Sequence, residues 1–540
     1  MKKTINKSWG YLILAFLVLL IVSVLDGYIT IKIMRIIDSA MSRDMSLFRK
    51  ESIEAFLFVA ALLPASILAS YTKGLYILKS LVGGKVTYME RIFNKNINEF
   101  QAENNSIYLS SMTNDMNTIE KKYMEGVYEV GGSFISFIVS FIVIAYVSPS
   151  ALFIGIAISI ISTIMSVLVS KPLQKYEKQR AELFGSYTSY IKEVLGAFQI
   201  IKSNNLNKKI KEDFTSKSRD IQHKGYLIDR IYTYITASQH FIMNIANISI
   251  LAIAVYMAIK GSITAGAVIL IANTIGRVIY PLMNLSEWMP KIFSVKSIFN
   301  RMDEALINHD NYEEKVELES FSHNISFKDV SFSYGEKEIL KDIDLDLKKG
   351  EKYLIVGPSG GGKSTLLKLL RKYFNPNTGQ ILIDNKDLKD IKKRSYFHHI
   401  ANIEQQVFLF QDTLENNLTL YKEYSSSEIA SSIKDAGLTD FVSGLEKGLN
   451  TLIVDNGKNI SGGEKSRIAI ARGLLSNSDI LFLDEAFASL DEKVAREIER
   501  TLLDLKDITV VNVSHIVFKE SKGLYNNIFT VKNKRVEKML

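Results

Sequence analysis

Read from the amino terminus, the chain alternates long apolar stretches with polar ones until about residue 300 and then changes character. Six apolar segments stand out, at 9–34, 52–73, 128–147, 150–171, 235–259 and 263–286, each near the ~20 residues that cross a hydrocarbon core as a helix. The pattern is clearest in the third and fourth. Val130 to Ser170 contains no charged residue over 41 positions, which at ~1.5 Å per residue is about twice the ~30 Å core. Ser148-Pro149-Ser150 interrupts that run at its middle, so it predicts a helical hairpin. The first segment follows Lys2, Lys3 and Lys7 and continues through Gly27–Met34 without a small-residue cleavage site. It therefore reads as a retained span rather than a signal peptide.

The polar stretches 74–127 and 172–234 are rich in lysine, whereas the connections after the third and fifth spans hold almost no charge. That asymmetry predicts that the amino terminus, both long stretches and the carboxy-terminal half face the cytosol. Arg43, Arg49 and Lys50, after the first span, run against it. Within the long stretches, Ile107–Tyr123 and Gln179–Phe198 hold few glycines or prolines and read as cytosolic extensions of the membrane helices.

Some polar residues fall inside spans. Asn273, Arg277, Tyr280 and Asn284 are spaced to share one face of the sixth, which reads either as a face lining a transport path or as Arg277 snorkelling from a cytosolic end. His240, Asn244 and Asn247 form a similar stripe in the fifth span, equally open to interhelical hydrogen bonding. Asp26, in the first, is expected near the outer surface.

Composition fits a chain that is half membrane and half soluble: of 540 residues 47% are hydrophobic, and the mean hydropathy is +0.09. The length predicts more than one domain. The absence of cysteine excludes disulfides, thiolate nucleophiles and Cys-ligated zinc. The net charge of +8 is explained by lysines flanking membrane spans, so no nucleic-acid partner is expected.

After Asn300 the sequence becomes charged, and strands alternating with helices begin near Ile325. The expected division is a membrane domain at 1–300, a linker at 301–322 and an α/β domain at 323–540. In the latter, Gly357-Pro-Ser359-Gly360-Gly361-Gly362-Lys363-Ser364, followed by Thr365, matches the P-loop pattern between strand Lys352–Val356 and a helix from Ser364. Glycines let backbone N–H groups turn towards phosphates, and the helix amino terminus adds partial positive charge. Lys363 should reach the β- and γ-phosphates of ATP, and the Ser364 hydroxyl should ligate Mg²⁺. Ile480–Asp484 reads as a buried strand ending in two carboxylates. Asp484 suits the magnesium site, and Glu485 is placed to orient or deprotonate the attacking water.

Together with Ile460-Ser461-Gly462-Gly463-Glu464, these motifs resemble the ATP-binding cassette (ABC) superfamily over essentially the whole chain. The resemblance implies a six-helix all-α transmembrane domain fused to an α/β P-loop NTPase domain, in the order found in exporters. It implies that Ser461, Gly462 and Gly463 form the signature that contacts ATP held by an opposite subunit, so that a second half-transporter is required, in a homodimer or a heterodimer. It further implies that Tyr334 stacks on adenine, that Gln405 or adjacent Gln406 is the Q-loop glutamine near Mg²⁺, that Asp491 belongs to the D-loop and that His515 is the switch histidine. Segments near Ile107–Met116 and Leu195–Asn205 would be coupling helices. Ile460, Asp455-Asn456 and Glu404 depart from common family residues without removing a catalytic group. The implied function is ATP-driven export of a small molecule, lipid or peptide across a bilayer, from a bacterial plasma membrane with the ATPase in the cytosol. A membrane-anchored regulatory ATPase is the alternative.

Overall fold

The computed structural model describes residues 2–103, 105–147, 176, 179–180, 183–310, 312–515 and 517–539. They form two compact units, one of Met1–Lys95 with Glu103–Ile307 and one of Asn96–Ala102 with Asn308–Leu540.

The first unit is helical. Its long elements are α1 (Trp9–Met41), α2 (Met45–Phe93), α3 (Glu125–Val147), α4 (Asn207–Ile259) and α5 (Ala265–Glu304). Trp9–Met41, Met45–Phe93 and Ile107–Tyr146 are long and apolar enough to cross a membrane, and Asn247–Ile259 and Ala265–Val278 are shorter apolar helical segments. The fourth predicted span, 150–171, lies outside the described residues. At ~1.5 Å per residue the 49 residues of α2 extend about 74 Å, well past a ~30 Å core. The polar stretch to Phe93 is thus a continuation of the span. Ser106–Val147 is also one helical run, carrying two π turns at Ser111–Asp115 and Ile119–Met124.

Local chemistry explains the turns between these helices. Asp44 caps α2 by accepting from the N–H groups of Ser46 and Leu47, both at 3.0 Å. Thr264 caps α5 by accepting from Ala267 N–H at 3.1 Å. The start of α5 also leans on the end of α1. Asp38 accepts from Gly266 N–H and from the Thr264 hydroxyl, both at 2.8 Å, placing a carboxylate at the positive end of a helix. The approach is close enough that a Cβ at Gly266 would meet the Met34 carbonyl oxygen at 2.2 Å. Val143, Ile144, Ile250, Ala254, Val268 and Ile271 pack α3, α4 and α5 together.

The second unit is α/β. A six-stranded sheet runs β10–β9–β3–β8–β7–β6 and a four-stranded sheet runs β2–β1–β4–β5, from β1 (Asn324–Tyr334), β2 (Lys337–Lys348), β3 (Lys352–Val356), β4 (Thr378–Ile383), β5 (Lys386–Asp387), β6 (Ile400–Ile403), β7 (Ile480–Asp484), β8 (Thr509–Val513), β9 (Asn527–Lys532) and β10 (Arg535–Lys538). β3, β7 and β8 are near-continuous apolar runs paired in parallel, the signature of strands covered on both faces. β2 instead alternates, burying Leu340, Ile343, Leu345 and Leu347 on one face of an antiparallel pair with β1. Helices α6 (Lys363–Leu370), α7 (Gly462–Leu475) and α8 (Glu492–Leu503) complete the parts that bear on the site.

Asn96–Ala102 belongs to this second unit through a set of local bonds. Asn96 N–H donates to Asn308 Oδ1 at 3.0 Å, and its side-chain amide donates to the Asp310 carbonyl at 2.9 Å. Glu99 accepts from His309 N–H at 2.9 Å and Asp310 N–H at 3.1 Å, and Lys393 Nζ reaches Asn96 Oδ1 at 2.7 Å. The segment held by the α/β unit is therefore the short helix Ile97–Ala102 rather than the expected Ile107–Met116, which is part of the long run leading into α3. The reason is that Asn96 and Glu99 carry the polar side chains that meet the linker backbone. In the region of Leu195–Asn205 a short helix, Phe198–Ser203, belongs to the first unit, with Phe198 and Ile200 exposed.

Candidate functional site

The carboxy-terminal ends of β3, β7 and β8 converge. Ser514 N–H donates to Ile355 O at 3.2 Å and Glu485 N–H to Val513 O at 2.9 Å. Parallel sheets bind ligands at this end of their strands, and the glycine-rich loop leaves from β3 here. Gly357 has φ +151°, and a Cβ there would lie 2.3 Å from the Val531 carbonyl oxygen, so only glycine lets the loop pass β9. Gly360 and Gly362 also take positive φ, and Gly362 caps α6 in the left-handed region. Ser359, Gly360 and Ser364 are exposed, while Lys363 and Thr365 are buried.

Lys363 Nζ donates to the carbonyls of Gly357 and Pro358, each at 3.0 Å, and stands 3.2 Å from His515 Nε2. His515 Nε2 is 3.0 Å from Glu485 Oε1, and Gln405 Nε2 donates to Glu485 Oε2 at 2.7 Å. Four residues from separate stretches of sequence thus form one contiguous polar chain, Gln405–Glu485–His515–Lys363, in which His515 Nε2 faces both Glu485 and Lys363. Gln405 is the glutamine that reaches Glu485 in this structure. Glu485 sits in a left-handed turn, φ +50°, stabilised because its carbonyl accepts from Ala488 N–H at 3.1 Å. Burial pushes the Lys363 ammonium below the ordinary lysine range, against the opposing pull of Glu485 and Asp484.

Asp484 ends β7 beside this chain. Burial pushes its carboxyl above the ordinary aspartate value, and the Arg371 guanidinium, 3.8 Å away, pulls the other way. Arg371 is 3% exposed and also stands 3.9 Å from Glu404. It escapes sequence reasoning because it looks like one more basic residue after the apolar α6. The available signal was its place directly after Leu369 and Leu370, the buried end of α6.

The other expected nucleotide residues lie at the surface of the same unit. The Tyr334 ring packs edge-on against Phe332 at 5.0 Å and Phe374 at 5.4 Å and keeps 39% of its surface open. Ser461 caps α7 by a reciprocal pair: Glu464 N–H donates to Ser461 Oγ at 3.3 Å and Ser461 N–H to Glu464 Oε2 at 2.8 Å. Gly463 faces the Ser489 carbonyl closely enough that a Cβ would sit at 3.1 Å. Exposed Ser461 and Gly462 leave the α7 amino terminus open, and Asp491 is an exposed cap of α8.

The expected polar stripes of the first unit separate. A cavity of about 390 Å³ is lined by Asp26, Tyr128, Glu129, Ser133, Arg277 and Asn284 among others. Arg277 forms an ion pair with Asp26, and both side chains line this cavity. Asn284 donates to Ser133 Oγ at 2.7 Å. Asn273 is exposed, His240 and Asn244 are exposed and Asn247 is half-buried, and none of them lines the cavity. The Tyr280 side chain lies outside the described residues.

A glycine loop, a buried lysine and two carboxylates ending a parallel strand define a nucleotide-hydrolysing α/β unit, here fused behind a helical membrane unit. Residues 12–282 match the ABC transporter transmembrane region and residues 340–488 match the ABC transporter domain. The chain belongs to the ABC transporter family and is an exporter-type half-transporter whose ATPase is coupled to transport. It is 30% identical over 429 residues to the ATP-dependent lipid A-core flippase of Yersinia pestis, covering 77% of this chain and 72% of that protein. It is 28% identical over 425 residues to the uncharacterized ABC transporter ATP-binding protein YfiC of Bacillus subtilis, covering 77% and 70%. In fold it matches a bacterial Atm1-family ABC exporter solved with ATP bound, with a TM-score of 0.85 at 20% identity, over 98% of this chain and 95% of that one.

Proposed function

We propose that two such chains, alike or paired with a different half-transporter, enclose ATP between their α/β units and use its hydrolysis to move an amphipathic substrate out of the cytosol. The observation that carries this reading is the Gln405–Glu485–His515–Lys363 chain beside the glycine loop. Lys363 exchanges its carbonyl partners for the β- and γ-phosphate oxygens, and His515 contacts the γ-phosphate. Glu485 holds the attacking water and accepts its proton, while Tyr334 stacks on adenine. Ser461, Gly462 and Gly463, at an open helix amino terminus, bind the γ-phosphate of ATP on the opposite subunit, with Asp491 at the same interface. The loop fits a metal-nucleotide complex: Ser364 is exposed next to buried Lys363, and Gln405 and Asp484 lie beside it. Ser364, Gln405 and Asp484 would hold Mg²⁺, which supplies charge neutralisation for the phosphate oxygens.

A lipid-like substrate is supported by relatives named as lipid A-core flippases. It is also supported by the polar cavity within an apolar bundle. The second chain is supported by the amino terminus of α7, where Ser461 and Gly462 stand exposed in the single chain. The bacterial relatives and the lysine asymmetry support a bacterial plasma membrane with the α/β unit in the cytosol. An intact catalytic chain argues against a regulatory ATPase without transport. The test is ATP-dependent uptake of a labelled lipid into inside-out proteoliposomes. Uptake with wild type and none with Glu485→Gln is expected, and MgATP hydrolysis without any ATP-dependent lipid movement would refute the lipid-substrate reading.

A further inference from the structure

Four ionisable side chains meet at the cavity in the membrane unit. Asp26, Glu129 and Arg277 line it, and Lys73 joins them by donating to Glu129 at 2.8 Å while lying 4.7 Å above the Tyr128 ring. Asp26, Lys73 and Glu129 lie on helical segments long and apolar enough to cross a membrane, and Arg277 on an apolar segment of α5. Asp26 and Arg277 fall inside the expected first and sixth spans, whereas Lys73 and Glu129 stand at the ends of the second and third; charges on membrane-crossing helices mark function unless they serve only each other. Here they serve each other around an open volume, with Arg277 paired to Asp26 and Lys73 to Glu129.

That arrangement restricts what can enter. A lone anion on Arg277 would leave Asp26 without a counter-charge, and a lone cation on Asp26 would leave Arg277 so. Leaving one charge of such a pair unmatched between membrane helices is unfavourable. A ligand carrying both signs replaces both partners at once. Ser23 and Ser136 hydroxyls, 3.4 Å apart, and the Asn284 amide supply neutral donors and acceptors around it. The volume of about 390 Å³ falls in the ~300–1,000 Å³ range of small-molecule sites. Helices α1 and α3 also wall a second cavity of about 480 Å³, lined mostly by apolar residues such as Val24, Val139 and Tyr146 together with Lys32 and Arg35.

We propose that the Asp26–Arg277 cavity is a binding site for a zwitterionic headgroup, an ammonium and a phosphate or carboxylate on one ligand. The anion takes Arg277, the ammonium takes Asp26 and Glu129, and the ion pair between α1 and α5 opens as the ligand enters. This rests on the transport reading above and names its substrate class.

The test is equilibrium binding of radiolabelled lysophosphatidylethanolamine to the full chain in phosphatidylglycerol nanodiscs, with unlabelled competitors. Lysophosphatidylethanolamine is expected to compete at least tenfold better than lysophosphatidylglycerol or the N-acetylated lysolipid, which carry only the negative charge. Glycerophosphoethanolamine competing equally well assigns the site to the free headgroup compound, and competing poorly assigns it to the intact lipid. Asp26→Asn and Arg277→Gln should each weaken binding at least tenfold. The exchange Asp26→Arg with Arg277→Asp should restore it to within about threefold, which separates lost recognition from misfolding. Equal competition by the singly charged lysolipids, or single variants that bind as wild type does, would overturn the proposal. MgATP hydrolysis and lipid uptake in parallel samples keep the readings apart, because both persist if only the headgroup assignment fails.

Discussion

Replacing Glu485 by glutamine preserves shape and removes one charge. In the structure the carboxylate accepts from Gln405 at 2.7 Å and faces His515 Nε2 at 3.0 Å. A glutamine offers one oxygen and one NH₂ group. Its oxygen goes to Gln405, leaving its NH₂ against His515, which then accepts and competes with Lys363 for the same Nε2, 3.2 Å from Nζ. One charge-assisted bond of ~1.5–3 kcal/mol becomes a neutral one of ~0.5–1.5 kcal/mol, a net stability loss of about 1 kcal/mol. For an α/β unit of this size that is a fall in Tm of about 2–4 °C. Turnover is hit far harder, because loss of a general base costs ~10²–10⁴-fold. Phosphate binding uses Lys363 and the loop N–H groups, so ATP affinity should stay within about threefold of wild type. Equilibrium binding of ATP, a thermal melt and phosphate release under saturating MgATP measure all three. A variant retaining more than about a tenth of wild-type turnover would refute the assignment of Glu485. One losing ATP affinity in proportion to turnover would show that the carboxylate serves binding rather than hydrolysis.

Gly357→Ala should abolish ATP binding and destabilise the α/β unit by at least ~2 kcal/mol, because its Cβ would meet the Val531 carbonyl oxygen at 2.3 Å in a backbone conformation that already strains any L-residue; a nucleotide titration and a thermal melt read both. Asp38→Ala removes the acceptor for Gly266 N–H and the Thr264 hydroxyl and should cost about 1–2 kcal/mol, the range for a helix cap, read as a lowered melting temperature in detergent. Desolvation raises the Glu99 carboxyl, but the His309 and Asp310 N–H groups and the Asn96 amide outweigh it and hold it below the ordinary glutamate value. A lowered folded value means stability that is fully present above the unfolded pKa of ~4.3 and lost as pH falls through the folded one. Wild type should therefore exceed Glu99→Gln in melting temperature by a constant margin from pH 8 to about 5, and the margin should close below about pH 4.

The chemistry of ATP was legible because it is written locally. A P-loop needs glycines at fixed spacing before a helix, and Asp484-Glu485 ends a run of apolar residues that only a buried parallel strand explains. The first three spans were legible for the same reason, since hydrocarbon thickness dictates their length. Sequence spacing could not choose between Gln405 and Gln406, because which side chain reaches Glu485 depends on how the chain leaves β6. It also could not show that Arg371 faces Asp484, or that Ile97–Ala102 rather than Ile107–Met116 travels with the α/β unit, since both depend on bonds to residues more than 100 positions away. The sixth-span stripe shows the limit most clearly. Helical periodicity put Asn273, Arg277 and Asn284 on one face, but only the packing of α1 against α5 brought Asp26 to Arg277 and left Asn273 outside. Periodicity specifies a helix and its faces. The rotation of each helix against its neighbours is settled by shape and charge complementarity between distant segments, and that is a property of the folded molecule alone.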